Sequence, residues 1–130
     1  MLSGEQTIEY LRRAKAGDEQ AKEILLSENV SLLKCIVKRY LGKGVEYDDL
    51  FQLAGLGFLK AITGFDEAFG VKFSTYAVPM IAGEIKRFMR IIKIRKYYRI
   101  NIAVDLHAVF RGGGHTGHSS NLVFAIIIIQ

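Results

Sequence analysis

The residues best suited to chemistry lie together in Val71-Lys72-Phe73-Ser74-Thr75-Tyr76-Ala77, where one cation, two aromatic rings and two hydroxyls fall within a single short segment. Unpaired bases stack on aromatic rings, hydroxyls reach phosphate or base edges, and ammonium or guanidinium groups hold the backbone. Taking a base out of a duplex costs roughly a few kcal/mol, and stacking in a pocket offsets that cost. Downstream, Lys86, Arg90 and Lys93 recur at helical spacing with Arg87 beside them. Read on these residues alone, the segment is a single-strand nucleic-acid site. The competing reading is that Phe73 and Tyr76 are core rings.

A second group is Gly112 to His118, GGGHTGH, which holds two histidines and four glycines. Glycine loops cradle phosphate, and His115 and His118 could share a metal. The string faintly resembles the GGGH motif of DHH-type phosphoesterases, but that family's catalytic aspartate and histidine motifs have no counterpart here. The run therefore reads as a loop. No catalytic residue, metal ligand or cofactor is assigned, and the chain is not read as an enzyme. The remaining histidine, His107, reads as a surface or packing residue.

Elements that would position the first group follow from periodicity. Ile8, Leu11 and Ala14 mark a helix over 7–15, ended by Gly17, and Asp18 is a natural cap for a helix over 19–26. Leu33, Ile36, Val37 and Tyr40 mark a third helix over 30–41, on which Cys35 reads as a small buried hydrophobe. Asp48 is placed to cap a fourth helix. Its face Leu50, Ala54, Gly57, Phe58, Ala61 and Phe65 is core, and Asp49, Gln52, Leu56 and Lys60 share another face suited to a partner helix. A fifth helix starts near Ser74 and buries Ala77, Ile81, Ile85 and Phe88. Pro79 predicts a kink there, or a start at Val78. The resulting fold is an all-α bundle of about five helices over residues 1–95. Residues 96–130 form a separate tail, irregular or weakly β. Within it NIAVDLHAVF alternates as strand or helix, and Leu122 to Ile129 is apolar, uncharged and β-prone, an aggregation hazard.

Composition agrees with a folded domain: half of the 130 residues are hydrophobic and a quarter charged. One cysteine excludes an internal disulfide framework. No secretory signal is visible at the start, and the longest apolar run is too short to span a bilayer, so no membrane partner is expected. The net charge of +5 is unevenly spread. Residues 71–100 hold eight basic groups and one acid, Glu84, whereas the flanking segments are balanced or acidic. A basic block of this kind attracts polyanions.

Three stretches carry a family resemblance: Glu28-Asn29 with IVKRYLGKG, then EYDDLFQLAGLGFLKAI, then GFDEAFGVKFSTYAVPMIAGEIKRFMR. They resemble region two of bacterial RNA polymerase sigma factors, and the VPMI, GEI and RF wording is that of the sporulation and general-stress subgroup. The resemblance covers about residues 5–90. It implies a compact helical bundle that docks on the clamp coiled coil of the largest subunit of core RNA polymerase and opens the minus-ten element of promoter DNA by capturing non-template bases. Asp49, Gln52, Leu53 and Leu56 match the docking helix. Phe73, Thr75 and Tyr76 match the pocket for the flipped adenine. Lys72, Lys86, Arg87 and Arg90 match basic positions beside melted or upstream DNA, and Gly83 and Lys86 match positions that read upstream bases. Pro79 and Met80 stand where primary sigma factors carry a tryptophan wedge, which implies weaker intrinsic melting. After Arg90 the sequence departs from the pattern, and the stretches for regions three and four are missing. The implied location is the cytoplasm, at the nucleoid. An anti-sigma factor is a further implied partner. The alternative role is a non-initiating module that titrates core polymerase or an anti-sigma factor.

Overall fold

The computed structural model describes the backbone of residues 1–111 and the side chains of residues 1–101. Among the described residues there are five α-helices and one short 3-10 turn, and no strand. The helices are α1 (Gly4–Lys15), α2 (Glu19–Glu28), α3 (Val30–Lys38), α4 (Tyr47–Gly64) and α5 (Phe73–Arg111), with the 3-10 turn at Glu67–Phe69. The chain divides into two compact units, Met1–Arg87 and a second beginning at Phe88.

Local chemistry accounts for the boundaries. The hydroxyl of Ser3 accepts from the Gln6 amide at 3.2 Å, and Gln6 Oε1 accepts from the Ser3 amide at 2.9 Å. This reciprocal cap starts α1 three residues earlier than periodicity alone suggests. Gly17, at φ 96°, takes the left-handed turn that ends α1. Asp18 then caps α2 through the Ala21 amide, as expected, and is held by Arg13 at 2.8 Å. Arg13 keeps the Asp18 carboxyl below its usual range, assisted by the Ala21 amide. Asn29 separates α2 from α3 and donates its side-chain amide to the Leu25 carbonyl at 2.7 Å.

Three local expectations are corrected. The third helix stops at Lys38, short of residue 41. Cys35 is exposed, because the buried stripe Leu33, Ile36 and Val37 lies on the other side of α3. Asp48 does not cap α4. Glu46 occupies the cap position without a side-chain bond, and Asp48 and Asp49 sit in the first turn, where negative charge opposes the helix dipole favourably.

The core of the first unit is apolar apart from Glu84 at its edge. Leu11 and Ala14 of α1, Ala21 and Leu25 of α2, and Leu33, Ile36 and Val37 of α3 surround the α4 face Leu50, Ala54, Phe58, Ala61 and Ile62. From α5 come Phe73, Ala77, Ile81 and Ile85. Phe88, expected in the same stripe, is only half-buried.

α5 begins at Phe73 and carries Pro79 inside it, so the helix does not start at Val78. Pro79 leaves the Thr75 carbonyl without its usual donor. Both residues are exposed, so water can take that role. The helix also runs through residues 96–111, where an irregular or β-type chain was expected. NIAVDLHAVF alternates, but Ala103, Leu106 and Phe110 also recur at spacings of three and four, and the backbone follows the helical pattern. The expectations about the glycine–histidine run and the apolar β-prone end lie outside the described residues.

α4 and α5 meet at Gly57. A Cβ built there would lie 2.7 Å from the Ile81 Cα and 3.1 Å from the Met80 carbonyl oxygen. Backbone cannot yield as a flexible side chain does, so only glycine permits this crossing. Gly55, two residues earlier, has nothing within 4 Å of a Cβ. The two glycines thus form a matched pair. Gly55→Ala should stabilise the first unit by about 0.5–1 kcal/mol through helix propensity. Gly57→Ala should destabilise it by about 1–3 kcal/mol net, because the helices must separate. Urea unfolding of both variants checks the opposite signs, and equal effects would remove the close crossing from consideration.

Candidate nucleic-acid interface

Five aromatic rings form a chain from the core of the first unit to its surface. Phe58 on α4 meets Phe73 edge-on at 5.5 Å between centroids. Phe73 meets Phe65 edge-on at 5.4 Å. Phe65 then contacts both Phe69, at 6.1 Å, and Tyr76, at 5.6 Å. The outermost pair, Phe69 and Tyr76, lies 5.6 Å apart with an angle of 35° between ring planes. Edge-on pairs of this kind each contribute about 0.5–1.5 kcal/mol beyond area burial.

Exposure changes along the chain. Phe73 is 7% exposed, Tyr76 is half-buried and Phe69 is 52% exposed. Of the two rings expected to stack on bases, Tyr76 has an accessible part, whereas Phe73 is enclosed by Phe58 and Phe65 and acts on the surface only through its neighbours. Phe69 was not singled out in the sequence. Its accessibility depends on the 3-10 turn, in which Asp66 accepts from the Ala68 amide at 2.9 Å and Gly70 closes with φ 69°. The one available signal was the string Asp66-Glu67-Ala68-Phe69-Gly70, an aspartate cap and a glycine stop around one aromatic. Gly64 was missed as well. A Cβ there would come within 2.6 Å of the Tyr76 hydroxyl oxygen, so this glycine leaves room for the phenol.

The loop that carries Phe69 is tied to α1. Arg12 forms a two-pronged pair with Glu67, at 2.6 and 2.9 Å. Lys15 donates to the Phe65 carbonyl. The Glu67 carboxyl is held below its usual range, chiefly by the Arg12 hydrogen bond. Arg12 is raised by the same bond. Both groups are well exposed, so the pair orients the loop more than it stabilises the fold.

On α5, Thr75, Tyr76, Pro79, Met80, Gly83, Lys86 and Arg87 recur at helical spacing along one strip beside the buried stripe. Thr75, Pro79, Gly83, Lys86 and Arg87 are exposed, and Met80 is half-buried. Lys72 is exposed immediately before the helix. Arg90 is exposed and lies in the second unit.

Arg87 is engaged. It lies 3.1 Å from Glu84, whose second oxygen binds Lys60 of α4 at 2.8 Å. Glu84 is 9% exposed, and no buried side-chain polar atom lacks a partner among the described residues. Lys60 first, and then Arg87, hold its carboxyl below the usual range against the opposing effect of burial.

On α4, Asp49, Gln52, Leu53, Leu56 and Lys60 share one strip on the side away from the core. Asp49, Gln52 and Lys60 are exposed and Leu53 is half-buried. Leu56 is 44% exposed, and Leu59 beside the strip is exposed too. Among the described residues no three His, Cys, Asp or Glu side chains gather in a metal-like group, and no helix is long and apolar enough to cross a membrane.

Residues 25–92 match the family described as Sigma-70 region 2, so this helical bundle belongs to that family. The chain is similar to the RNA polymerase sigma-F factor of Bacillus subtilis strain 168, at 45% identity over 89 residues, which is 68% of this chain and 35% of that protein. With the RNA polymerase sigma-G factor of the same organism it shares 47% identity over 74 residues, 57% of this chain and 28% of that protein. With the RNA polymerase sigma-G factor of Clostridium acetobutylicum it shares 40% over 90 residues, 69% and 35% of the two chains. The chain spans about a third of the length of these curated relatives.

The Glu84 triad makes stability depend on pH with a definite sign. Glu84 has a depressed folded pKa, so its contribution is full above the ordinary carboxylate range and fades as pH falls through the depressed value. Glu84→Gln should cost about 1–2 kcal/mol at neutral pH, since both cations are themselves partly solvated. In acid the variant and the natural chain should converge. Urea midpoints measured at the two pH values check this, and a gap that persists in acid would show that packing, not charge, causes the loss.

Proposed function

We propose that this chain acts in transcription initiation: it docks on core RNA polymerase through α4 and captures a non-template base of the minus-ten promoter element beside Tyr76, in the cytoplasm at the nucleoid. The observation that carries the reading is the Phe69–Tyr76 pair. Two aromatic rings remain accessible at the end of a rigid aromatic chain, with Lys72 and Thr75 exposed nearby and Lys86 exposed on the adjoining strip of α5. A flipped adenine needs a flat apolar surface, a nearby hydroxyl and cations for its phosphates, and those groups are present. Phe73 serves this site as the inner support of Phe65, which in turn packs on Tyr76. Met80 and Pro79 offer less apolar wedge than a pair of large rings would, so opening relies on base capture. Gly83 and Lys86 form an open, side-chain-poor stretch of α5 that duplex DNA upstream can approach.

The polymerase contact uses the other exposed strip. Asp49, Gln52, Leu53 and Leu56 present an acid, an amide and two leucines on a helix whose opposite side is locked into the core. Such a strip suits a partner helix with complementary charge and small apolar pockets.

Two outcomes test the reading. Tyr76→Ala should weaken binding of a single-stranded minus-ten oligonucleotide by about 1–3 kcal/mol, and the loss should depend on the unpaired adenine. Fluorescence anisotropy with adenine-containing and adenine-substituted strands decides it, and an equal loss for both would defeat the capture site. Gln52→Ala combined with Leu56→Ala should lower affinity for core polymerase by roughly tenfold or more, while stability changes by only about 0.5 kcal/mol, as for other exposed positions. Unchanged affinity in a pull-down would move the docking surface elsewhere.

A further inference from the structure

Glu84 stands between the two exposed strips, and each oxygen of its carboxylate has a different partner. Oε2 accepts from Lys60 of α4 at 2.8 Å, and Oε1 accepts from Arg87 at 3.1 Å. The carboxylate is only 9% exposed, whereas the Arg87 side chain is 64% exposed. A charge so little exposed is costly when left alone, so Glu84 needs one cation at all times. With two present, one can leave while the other still compensates. Lys60 makes the shorter contact and reaches from α4, whose distance from α5 is fixed at Gly57. Arg87 is the outer partner, held by a single longer bond within one helical turn, and such exposed pairs are weak. Arg87 is therefore the cation that a competing anion can take.

Arg87 is also in line with the candidate capture site. Tyr76, Met80, Gly83 and Arg87 follow one another at spacings of four, three and four along α5 and so share one strip. Eleven residues at 1.5 Å each place Arg87 roughly 16 Å along the helix from Tyr76. That is too far for the phosphate beside a base held at Tyr76, and it suits a phosphate farther along the same DNA. A carboxylate and a phosphate compete for the same guanidinium N–H groups.

We infer that Glu84 is a positioning residue for DNA binding, one that holds Arg87 back from DNA phosphate, with Lys60 setting how firmly it does so; this rests on the proposed DNA contact along α5. With Lys60 on the carboxylate, Arg87 leaves for a phosphate without stranding a buried charge. Without Lys60, Glu84 depends on Arg87 alone and retains it. The availability of a cation on the DNA strip is thus governed by a residue on the α4 strip.

The test measures the cost of Arg87→Gln in three backgrounds of the full chain: natural, Glu84→Gln and Lys60→Gln. The probe is a duplex with a single-stranded non-template overhang that carries the minus-ten element, followed by fluorescence anisotropy over a range of salt. In the natural background Arg87→Gln should weaken binding about two- to threefold, and in Glu84→Gln, where Arg87 is released, about five- to tenfold. The log–log salt slope in Glu84→Gln should fall by about 0.9 on loss of Arg87, the value for one phosphate contact. In Lys60→Gln the loss of Arg87 should have no measurable effect. Glu84→Gln alone should bind DNA more tightly than the natural chain although it is less stable, a gain that a purely structural role would not produce. General repulsion of DNA by the Glu84 charge predicts the same Arg87 cost in all three backgrounds, and equal costs would overturn the inference. Should circular dichroism show Glu84→Gln unfolded, the other two backgrounds still decide, because an Arg87 cost that persists in Lys60→Gln overturns it as well. The whole series should be the same with an adenine-substituted overhang, since a phosphate contact is blind to the base. Loss of adenine dependence at Tyr76 with the series intact would defeat base capture and support the role of Glu84, whereas absence of DNA binding in every variant would defeat both.

Discussion

The close crossing of α4 and α5 at Gly57 is the constraint on which the rest of the first unit depends. With no side chain at residue 57, the Ile81 backbone comes to van der Waals distance of α4. Two consequences follow from that proximity. Ile81 and Ile85 reach the α4 core face directly, which leaves α4 with its far side available for other contacts. And Glu84, one helical step from Ile81, is brought against α4, where Lys60 can reach it. A carboxylate so little exposed would be costly alone, but it has a cation from each helix. The apolar crossing and the ionic clasp therefore reinforce one another: one sets the distance and the other sets the rotational register.

The same two helices hold the two exposed strips. Lys60 ends the α4 strip that carries Asp49, Gln52 and Leu56, and its ammonium is bound to an α5 residue. The α4 strip is therefore tied to α5 by a hydrogen bond as well as by packing. Arg87, on the α5 strip, shares the same carboxylate. Any phosphate that recruits Arg87 must compete with Glu84, whereas among the described residues no ion pair engages Lys72 or Lys86. Charge counted along the sequence overstates what that strip offers, because part of it is already engaged within the fold.

The loop between α4 and α5 shows how a surface ring is made rigid. Exposed loops sit at the low end of local stability. This one is fixed from beneath by Phe65, which touches Phe69, Phe73 and Tyr76, and from the side by α1 through Arg12 and Lys15. The apolar contacts position the rings, and the ion pair and the lysine contact orient the backbone that carries them. A base captured there, as proposed, would meet a surface whose ordering cost has already been met during folding.

Much of this was legible in the sequence, for a physical reason. Periodicity reports which face of a helix is apolar, and burial of apolar surface dominates folding, so the α4 face from Leu50 to Phe65 and the α5 stripe of Ala77, Ile81 and Ile85 could be read in advance. The family motifs could be read too, because they are contiguous. What the sequence by itself could not determine was pairing between residues far apart in the chain. Phe73 and Tyr76 are equivalent as aromatics three positions apart, and only the packing of Phe58 and Phe65 encloses one and leaves the other accessible. Glu84 and Arg87 lie one helical turn apart and can pair within α5, but only the approach of α4 gives that carboxylate its second partner, Lys60. Gly57 and Gly55 look alike in a helix, and the neighbour that distinguishes them, the Ile81 backbone, is supplied by the tertiary structure alone.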